Sequence, residues 1–356
     1  MTESDPQAPT LQLSVILPAR NEERLLPACL ASLLAQSEPG FALNAQWEIL
    51  LVDDASEDHT PQIVAEAAQT PGVLSIPAAP LDPAAFTGKN NACWTAAQSA
   101  RGRYLLFTDA DTLHEPGDLS RALHEAEKYN AALLSYSPRQ IVAGFGQRAL
   151  MPLVFSELAT VYPPKKVSDP KSSLAAANGQ FLLVEADAYF AVGGHRAVGR
   201  EVLEDVALAR NVKRFAYTTG QGIRFRYAPD ALSTRMYATL PEMVEGWTKN
   251  LALLFPSPIS LAAWRILDVV LFFGIPWIAV SWPYLVQWQR AALFVLWLRT
   301  LWRFYSRVAR SNFPFFDCAI SILGIPLFVY LLLRSVLDHR VHKRVFWKGR
   351  TYTTRN

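Results

Sequence analysis

The chain has 356 residues, more than one compact core usually serves, so we expect more than one domain. Its formal net charge of +3 is small and does not favour a nucleic-acid partner. Cys29, Cys93 and Cys318 lie far apart without metal-ligand spacing, which predicts packing thiols in a reducing compartment.

The N-terminal part of the chain predicts an α/β fold. Residues 1–10 are polar, and we expect them to be disordered, with no signal peptide or first membrane anchor. Between residues 11 and 135, strands and helices alternate. The predicted strands are 11–17, 49–52, 73–76, 104–108 and 131–135, and the predicted helices are 25–34, 60–69, 90–100 and 119–129. This alternation predicts a mostly parallel sheet with right-handed crossovers and helices on its faces.

After residue 135 the alternation ends. We predict helices at 144–160, 203–215 and 241–255, and one strand at 181–184. Residues 162–173 are rich in Pro, Lys and Ser, which is typical of a mobile loop.

The C-terminal third has the composition of a membrane-associated segment. Residues 269–288 carry no charge, and residues 313–333 carry only Asp317, so each stretch is long enough to cross a bilayer. A buried soluble helical domain is the alternative. The basic residues of 341–356 suit a tail on the cytoplasmic face.

An arginine-rich segment separates the two apolar stretches. Arg299, Arg303 and Arg307 recur every four residues, so they share one helix face, and an interfacial helix is favoured over a third span. Two spans would leave these arginines on the outer side, against the positive-inside tendency. In-plane or re-entrant helices would remove the conflict, and the sequence leaves this open.

Two acidic signatures follow predicted strands. Asp53 and Asp54 come after strand 49–52, and Asp109 and Asp111 come after strand 104–108. Ligands of open α/β sheets bind outside the carboxyl ends of the strands. An Asp-x-Asp pair also suits a hard divalent cation that carries phosphate oxygens. The pattern predicts a site for a nucleotide diphosphate.

These signatures belong to a set of five motifs that occur in order. They are VILPARNE at 15–22, VDDAS at 52–56, GKNNA at 88–92, DAD at 109–111 and EDVAL at 204–208. With them the chain resembles family 2 glycosyltransferases of the GT-A fold. NGQF at 178–181, GGH at 193–195 and WKGR at 347–350 are similar to the membrane-bound branch, which includes carotenoid- and hopanoid-associated glycosyltransferases.

The resemblance implies a donor site and a metal. The implied donor-binding residues are Pro18, Arg20, Glu22, Asp53, Lys89 and Asp109. Asp53 would contact the uracil base and Lys89 the diphosphate. Asp111, with Asp109, would bind Mg²⁺ or Mn²⁺. Arg20 could pair a phosphate or a neighbouring Asp, and Lys89 could be a solvated surface residue.

The resemblance also implies a general base and an acceptor region. Asp205 is the implied base, while the adjacent Glu204 is expected to point elsewhere on the helix and to support structure. His195 could approach the metal, although an ordinary loop histidine is favoured. The acceptor region is expected at Asn178, Gly179, Gln180, Glu204, Arg235 and Trp247. The Gln-x-x-Arg-Trp motif of processive relatives does not occur in the sequence, which favours a single transfer.

Together these features predict a membrane-bound enzyme with a cytoplasmic catalytic domain. It would transfer one sugar, with inversion, from a nucleotide diphosphate sugar, a uridine one, to a lipid-soluble hydroxyl such as that of a carotenoid or other isoprenoid. Two alternatives remain: transfer to a polyprenyl phosphate, and a non-catalytic membrane scaffold. We predict a catalytic domain at 11–255, with donor half 11–135 and acceptor half 136–255, followed by membrane-associated helices at 256–340.

Overall fold

The computed structural model describes residues 11–347 and 350–353. The predicted disordered segment 1–10 lies outside the described residues, as does part of the basic tail. The chain divides into two compact units. The first comprises Met1–Gln140 and Pro164–Arg235, and the second comprises Ile141–Pro163 and Met236–Asn356.

A seven-stranded sheet forms the centre of the first unit, in the spatial order β3-β2-β1-β4-β8-β6-β9. Its strands are β1 (Leu11–Ala19), β2 (Trp47–Asp53), β3 (Val73–Ser75), β4 (Gly102–Phe107), β6 (Ala131–Ser137), β8 (Leu182–Glu185) and β9 (Gly222–Tyr227). Strand β8 runs antiparallel to β4 and β6, and the other pairs are parallel. The predicted mostly parallel sheet is confirmed.

Helices cover this sheet as the alternating pattern predicts. They are α1 (Leu26–Leu34), α2 (Thr60–Ala67), α3 (Gly88–Ala97), α4 (Asp118–Lys128), α6 (Pro164–Val167), α7 (Ala186–Ala191), α8 (Gly194–Ala197) and α9 (Glu204–Thr219). Helix α3 begins two residues before its predicted start, because the Thr87 hydroxyl accepts a hydrogen bond from the Asn90 N–H and caps the helix. This earlier start places Lys89 in the first turn.

Strand β9 is absent from the sequence prediction. It alternates apolar residues with Arg224 and Arg226, and both guanidinium groups pair with the Glu125 carboxylate at 2.9 and 3.1 Å. The strand is therefore stabilised by ion pairs on one face rather than by a continuous apolar run, and an apolar pattern does not detect it.

A second, three-stranded sheet lies beside the Asp-x-Asp segment. It consists of β5 (Thr112–His114), β10 (Leu232–Thr234) and β7 (Arg139–Gln140), in that order. Strand β5 follows Asp111 directly, so this small sheet fixes the backbone on the C-terminal side of the acidic pair. Strands of two or three residues are too short to show a periodicity in sequence.

The segment predicted as a mobile loop, 162–173, contains the short helix α6 instead. The Lys213 ammonium donates hydrogen bonds to the carbonyls of Val167 and Leu174, both at 2.6 Å. The Ser168 hydroxyl accepts a hydrogen bond from the Phe225 N–H at 3.0 Å. These contacts attach the segment to α9 and β9.

The second unit is helical. Its elements are α5 (Gly144–Val161), α10 (Leu240–Leu254), α11 (Pro258–Ser281), α12 (Gln287–Val308), α13 (Phe315–Ile320), α14 (Ile325–Leu337) and a terminal hairpin of β11 (Arg344–Trp347) and β12 (Arg350–Thr353). Met243, Trp247 and Leu251 of α10 share one core with Phe328 and Leu331 of α14. The compact units therefore differ from the predicted domains, because α5 and α10 pack with the C-terminal helices.

Two helical stretches in this unit are long and apolar enough to cross a membrane, Pro258–Ser281 and Phe315–His342. The first ends seven residues before the predicted stretch does, since Pro283 interrupts the backbone. Helix α12 then packs along α11, and the Trp297 indole N–H donates to the Phe272 carbonyl at 2.9 Å. The arginine-rich segment is thus the second arm of a helical hairpin.

Candidate active site

The carboxyl ends of three adjacent strands in the first unit bring the predicted donor residues to one edge. Strand β1 lies between β2 and β4, with Ala19 opposite Asp53 and Ile16 opposite Phe107. Asp109 comes two residues after the end of β4, and Pro18 lies near the end of β1. This is the edge at which open α/β sheets bind ligands.

Arg20 stabilises the turn that follows β2. Its guanidinium donates to the carbonyls of Asp54 and Ala55, at 2.7 and 2.8 Å, and lies 3.7 Å from the Glu57 carboxylate. Ala55 has a φ of 54°, a left-handed conformation that is uncommon for residues other than glycine. Of the two interpretations of Arg20, contact with a neighbouring acidic residue is present, at Glu57.

Asp53 and Glu22 border the same turn. Both carboxylate oxygens of Asp53 lie 3.3 Å from the Ser56 N–H. The Glu22 N–H donates to the Thr60 hydroxyl at the start of α2, at 2.8 Å. Hydrogen bonds therefore join the segment after β1 to the region between β2 and α2. The contact of Asp53 with a uracil base stays a prediction.

Lys89 lies at the centre of the site. Its ammonium lies 2.7 Å from Asp109 Oδ1 and 3.0 Å from Glu204 Oε1. Burial disfavours the charged form, yet the two carboxylates hold the pKa of Lys89 well above its usual value. The ammonium is therefore a fixed positive charge, as binding of a diphosphate requires.

Asp205 is placed by the first turn of α9. Its Oδ2 accepts a hydrogen bond from the Gly179 N–H at 2.9 Å, and its Oδ1 accepts one from the Val206 N–H at 2.8 Å. Burial, followed by the nearby Glu204 charge, raises the pKa of Asp205 to about 7. A carboxylate with a pKa near neutrality is suited to accept a proton at neutral pH.

The expectation that Glu204 points away from the site is wrong. Its carboxylate contacts Lys89 and lines the same pocket as Asp205. Successive helical residues diverge, but the longer Glu204 side chain reaches Lys89 while the shorter Asp205 side chain faces Gly179. The pocket therefore holds one ammonium and three carboxylates, those of Asp109, Glu204 and Asp205.

The 178–180 segment connects the Asp-x-Asp turn to the Asp205 carboxylate. The Thr108 hydroxyl donates to the Gln180 carbonyl at 2.9 Å, and Thr108 directly precedes Asp109. The Asn178 side chain accepts from the Gln180 N–H at 2.9 Å, and the Gln180 side chain donates to the Thr234 hydroxyl at 3.0 Å. The side chains of Asn178 and Gln180 thus brace the backbone that holds Asp205.

The backbone of this segment lies against the charged groups of Lys89 and Asp205 at Gly179. A Cβ at this position would lie 3.1 Å from Lys89 Nζ and 3.6 Å from Asp205 Oδ2. We expect Gly179→Ala to displace the ammonium and to lower kcat by about 10- to 100-fold, since a small misplacement of reacting groups has effects of this size. Steady-state transfer assays would measure this loss.

Gly222→Ala is the matched control, because an added Cβ there meets no atom within 4 Å and the backbone is not left-handed. Equal kcat values for the two variants would contradict the steric role of Gly179.

Five residues that line the pocket are not among the predicted donor-binding or acceptor-region residues. They are Cys93, Phe107, Thr108, Leu182 and His195. His195 is buried on α8, where its Nδ1 lies 2.9 Å from the Tyr189 hydroxyl. Burial lowers the pKa of His195 to about 4, so its ring is neutral at physiological pH. The sequence signals available are a position next to a motif, as for Thr108 before Asp109, and a position within one, as for His195 in GGH at 193–195.

The acidic pair has the donor chemistry that a hard divalent cation requires. Asp109 and Asp111 supply carboxylate oxygens, and Mg²⁺ is usually held by one or two carboxylates together with phosphate oxygens and water. Within 11–347 and 350–353, no group of three or more His, Cys, Asp or Glu side chains is arranged to hold a metal. The residues fit a cation whose remaining ligands come from the donor.

Neither of the remaining two predicted residues is among those that line the pocket. Arg235 is exposed and follows Thr234, whose register partner Thr112 follows Asp111, so the backbone places Arg235 beside the acidic pair. Trp247 belongs to the second unit, where it is buried and its indole N–H faces the Met151 sulfur at 3.4 Å. Its contacts there are those of a core residue.

Comparison with known proteins gives a consistent result. The model of the family "Glycosyl transferase family 2" matches residues 14–206, more than half of the chain. The chain is 27% identical to the 4,4'-diaponeurosporenoate glycosyltransferase of Staphylococcus haemolyticus, over 97% of this chain and 89% of the relative. It is also 27% identical to the protein of that name from Staphylococcus aureus strain USA300, over 67% of this chain and 60% of the relative.

Among solved structures, a mannosyltransferase from Pyrobaculum calidifontis, determined in complex with GDP-Man and Mn²⁺, has a similar fold. The TM-score is 0.51 at 18% sequence identity, and the match covers 93% of this chain and 88% of the mannosyltransferase chain. The likeness confirms the predicted GT-A type of fold.

Proposed function

The chain belongs to glycosyl transferase family 2, and we propose that it transfers one sugar from a uridine diphosphate sugar to a lipid-soluble hydroxyl acceptor. The observation that carries the proposal is the partly buried Asp205 carboxylate in one pocket with Lys89 and Asp109. The names of the staphylococcal relatives support an acceptor of the carotenoid class.

The donor would lie along the carboxyl ends of β1, β2 and β4. Asp53 would accept a hydrogen bond from the uracil ring N–H. Lys89 would face the diphosphate, and Asp109 the sugar. Asp109 and Glu204 hold the Lys89 ammonium in place, so the cation would need little reorganisation to face the diphosphate.

The proposed reaction is a single displacement with inversion. The acceptor oxygen attacks the anomeric carbon and forms the new C–O bond, while the bond between that carbon and the diphosphate oxygen breaks. Asp205 accepts the proton that the acceptor hydroxyl loses, and the nucleoside diphosphate leaves with the bonding electron pair. Asp205 is aimed by hydrogen bonds from two backbone N–H groups, so the base needs little reorganisation.

Mg²⁺ or Mn²⁺, when bound by Asp111 and Asp109, would neutralise charge on the departing diphosphate as a Lewis acid. We expect chelation, or Asp111→Asn, to lower transfer by at least about 10²-fold, the equivalent of several kcal/mol. Calorimetric titration of Mn²⁺ in the presence of the nucleoside diphosphate is a readout independent of turnover. Asp82→Asn is the control, because the Asp82 side chain is exposed. Unchanged Mn²⁺ binding in Asp111→Asn would contradict the assignment of Asp111 as a metal ligand.

The rate should depend on pH through Asp205. The carboxylate accepts a proton only when deprotonated, and burial raises its pKa to about 7, so kcat/KM is expected to rise as pH increases through about 7. A pH series on the free enzyme with a hydroxyl acceptor measures the profile. A rate that falls over this interval would contradict the role of Asp205 as base.

We further propose that the second unit anchors the protein in the membrane and that the catalytic domain faces the cytoplasm. The two long apolar helices support the anchor. Several aromatic side chains of this unit are highly exposed, among them Tyr284 and Trp277, as suits contact with lipid. An acceptor dissolved in the bilayer would then reach the enzyme without leaving the membrane.

The deciding experiment screens nucleotide sugars for protection of the purified chain against thermal unfolding. A ligand at about 100 times its dissociation constant adds about 2.7 kcal/mol of stability. The protecting donor is then offered with a hydroxylated carotenoid or with a polyprenyl phosphate. If sugar is transferred only to the polyprenyl phosphate, the proposal of a hydroxyl acceptor is wrong and the acceptor is a polyprenyl phosphate.

A further inference from the structure

The second unit contains a buried ionic cluster with one positive charge in excess. Arg265 lies 3.1 Å from the Glu157 carboxylate and 3.0 Å from the Asp268 carboxylate. Arg307 contacts the same two acids at 3.6 and 3.3 Å, and Arg303 pairs with Asp268. Three guanidinium groups therefore share two carboxylates.

The excess charge is accessible at one side of the cluster. The side chains of Arg265, Asp268 and Glu157 are at most 5% exposed, whereas that of Arg303 is 43% exposed. Arg299 lies one helical turn before Arg303 on α12, is exposed, and has no ion-pair partner among the described residues. These two guanidinium groups point to an anionic partner outside the protein.

The surrounding sequence supplies no further acid. Residues 269–316 contain five arginines and neither Asp nor Glu. Two tryptophans accompany Arg303: Trp264 lies under its guanidinium and Trp302 precedes it in sequence, and both are more than half exposed. Exposed tryptophan beside arginine is the composition of a surface that meets lipid headgroups.

The hairpin geometry gives this surface a defined depth. Helix α12 returns along α11, so Arg303 lies beside Asp268, the last charged residue of α11, while Arg290 lies near the hairpin tip. About 13 residues of α11 separate Asp268 from the tip, a rise of about 20 Å. Arg299 and Arg303 therefore lie where the uncharged end of the hairpin begins, whereas Arg290 lies near its tip.

We propose that Arg299 and Arg303 bind the phosphate of an anionic phospholipid where the uncharged end of the α11–α12 hairpin begins, an inference that rests on the membrane location proposed above. Guanidinium groups match phosphate oxygens in charge and in hydrogen-bond geometry. The cluster beneath fixes Arg303 through Asp268, and Arg299 supplies the second contact. The bound phosphate would balance the excess charge at the level of the headgroups.

The test uses the full chain in nanodiscs of phosphatidylcholine, alone or mixed with phosphatidylglycerol. Native mass spectrometry counts the retained phosphatidylglycerol, and thermal unfolding reports its stabilising effect. We expect wild type to retain the anionic lipid and Arg299→Gln to bind it about fivefold more weakly, the effect of one basic residue near the surface. Arg290→Gln should behave as wild type, because Arg290 is exposed near the tip of the hairpin.

Three results would overturn the proposal. Wild type could show no preference for phosphatidylglycerol, or Arg299→Gln and Arg290→Gln could respond alike. Inorganic phosphate, added to pure phosphatidylcholine nanodiscs, could also reproduce the full stabilisation, which would assign the site to a free anion. Because these readouts measure lipid retention, their failure leaves the proposed sugar transfer intact, and absent transfer leaves the lipid assignment intact.

Discussion

Asp205→Asn is expected to lower kcat for a hydroxyl acceptor by about 10²–10⁴-fold, the usual contribution of a general base. The amide keeps the size of the side chain, and its single oxygen can still accept one of the two hydrogen bonds, from the Gly179 or the Val206 N–H. The KM for the donor should change little, because Lys89 and Asp109 are untouched. The pH dependence through about 7 should disappear together with the titrating carboxylate.

Asp187→Asn provides a matched control for this measurement. Asp187 is also an acidic residue in the first turn of a helix, α7, but its side chain is exposed. It should retain full kcat. Undiminished transfer by Asp205→Asn to a hydroxyl acceptor would contradict the assignment, whereas undiminished transfer to a polyprenyl phosphate would indicate an acceptor that is already ionised.

The sheet and its helices are largely predictable from sequence because their signals are local. Strands β1, β2 and β4 are buried apolar runs that end at turn residues, and the acidic motifs mark their carboxyl ends. Strand β9 is not predictable in this way, since Arg224 and Arg226 are stabilised by Glu125, about 100 positions away in sequence. Tertiary ion pairs replace the apolar pattern there.

The residue types of the site are predictable from the sequence, but the contacts between these residues are not. The motifs identify Lys89, Asp109 and Asp205, yet the bridge from Lys89 to Glu204 depends on how α3 and α9 meet. The role of Gly179 depends equally on packing, because its backbone reaches Asp205 from another loop. Such contacts join residues distant in sequence, and a single sequence holds no record of them.

The C-terminal apolar helices are likewise predictable from sequence only in part. Composition predicts the two long helices, and the four-residue spacing predicts that Arg299, Arg303 and Arg307 share a face. What that face meets was not predictable, because Asp268 and Glu157 belong to other helices. Their contact turns a predicted interfacial stripe into a partly buried ionic cluster.

Asp268→Asn is therefore expected to destabilise the second unit by about 3–5 kcal/mol, as removal of one partner from a buried ion pair typically does. The change would leave Arg265, Arg303 and Arg307 with Glu157 as their one remaining carboxylate in the cluster. Three guanidinium groups would then repel one another in a largely buried site. Unfolding of the full chain in detergent, followed by circular dichroism, measures the loss.

Two further variants separate the charge effect from simple loss of a carboxylate. Asp317 is also buried, but its ion pair with Arg148 is long, at 3.9 Å, so Asp317→Asn should cost at most about 1 kcal/mol. Adding Arg303→Gln to Asp268→Asn should recover part of the stability, since it removes one of the uncompensated charges. If the double variant is less stable than Asp268→Asn alone, charge balance is not what holds α11 against α12.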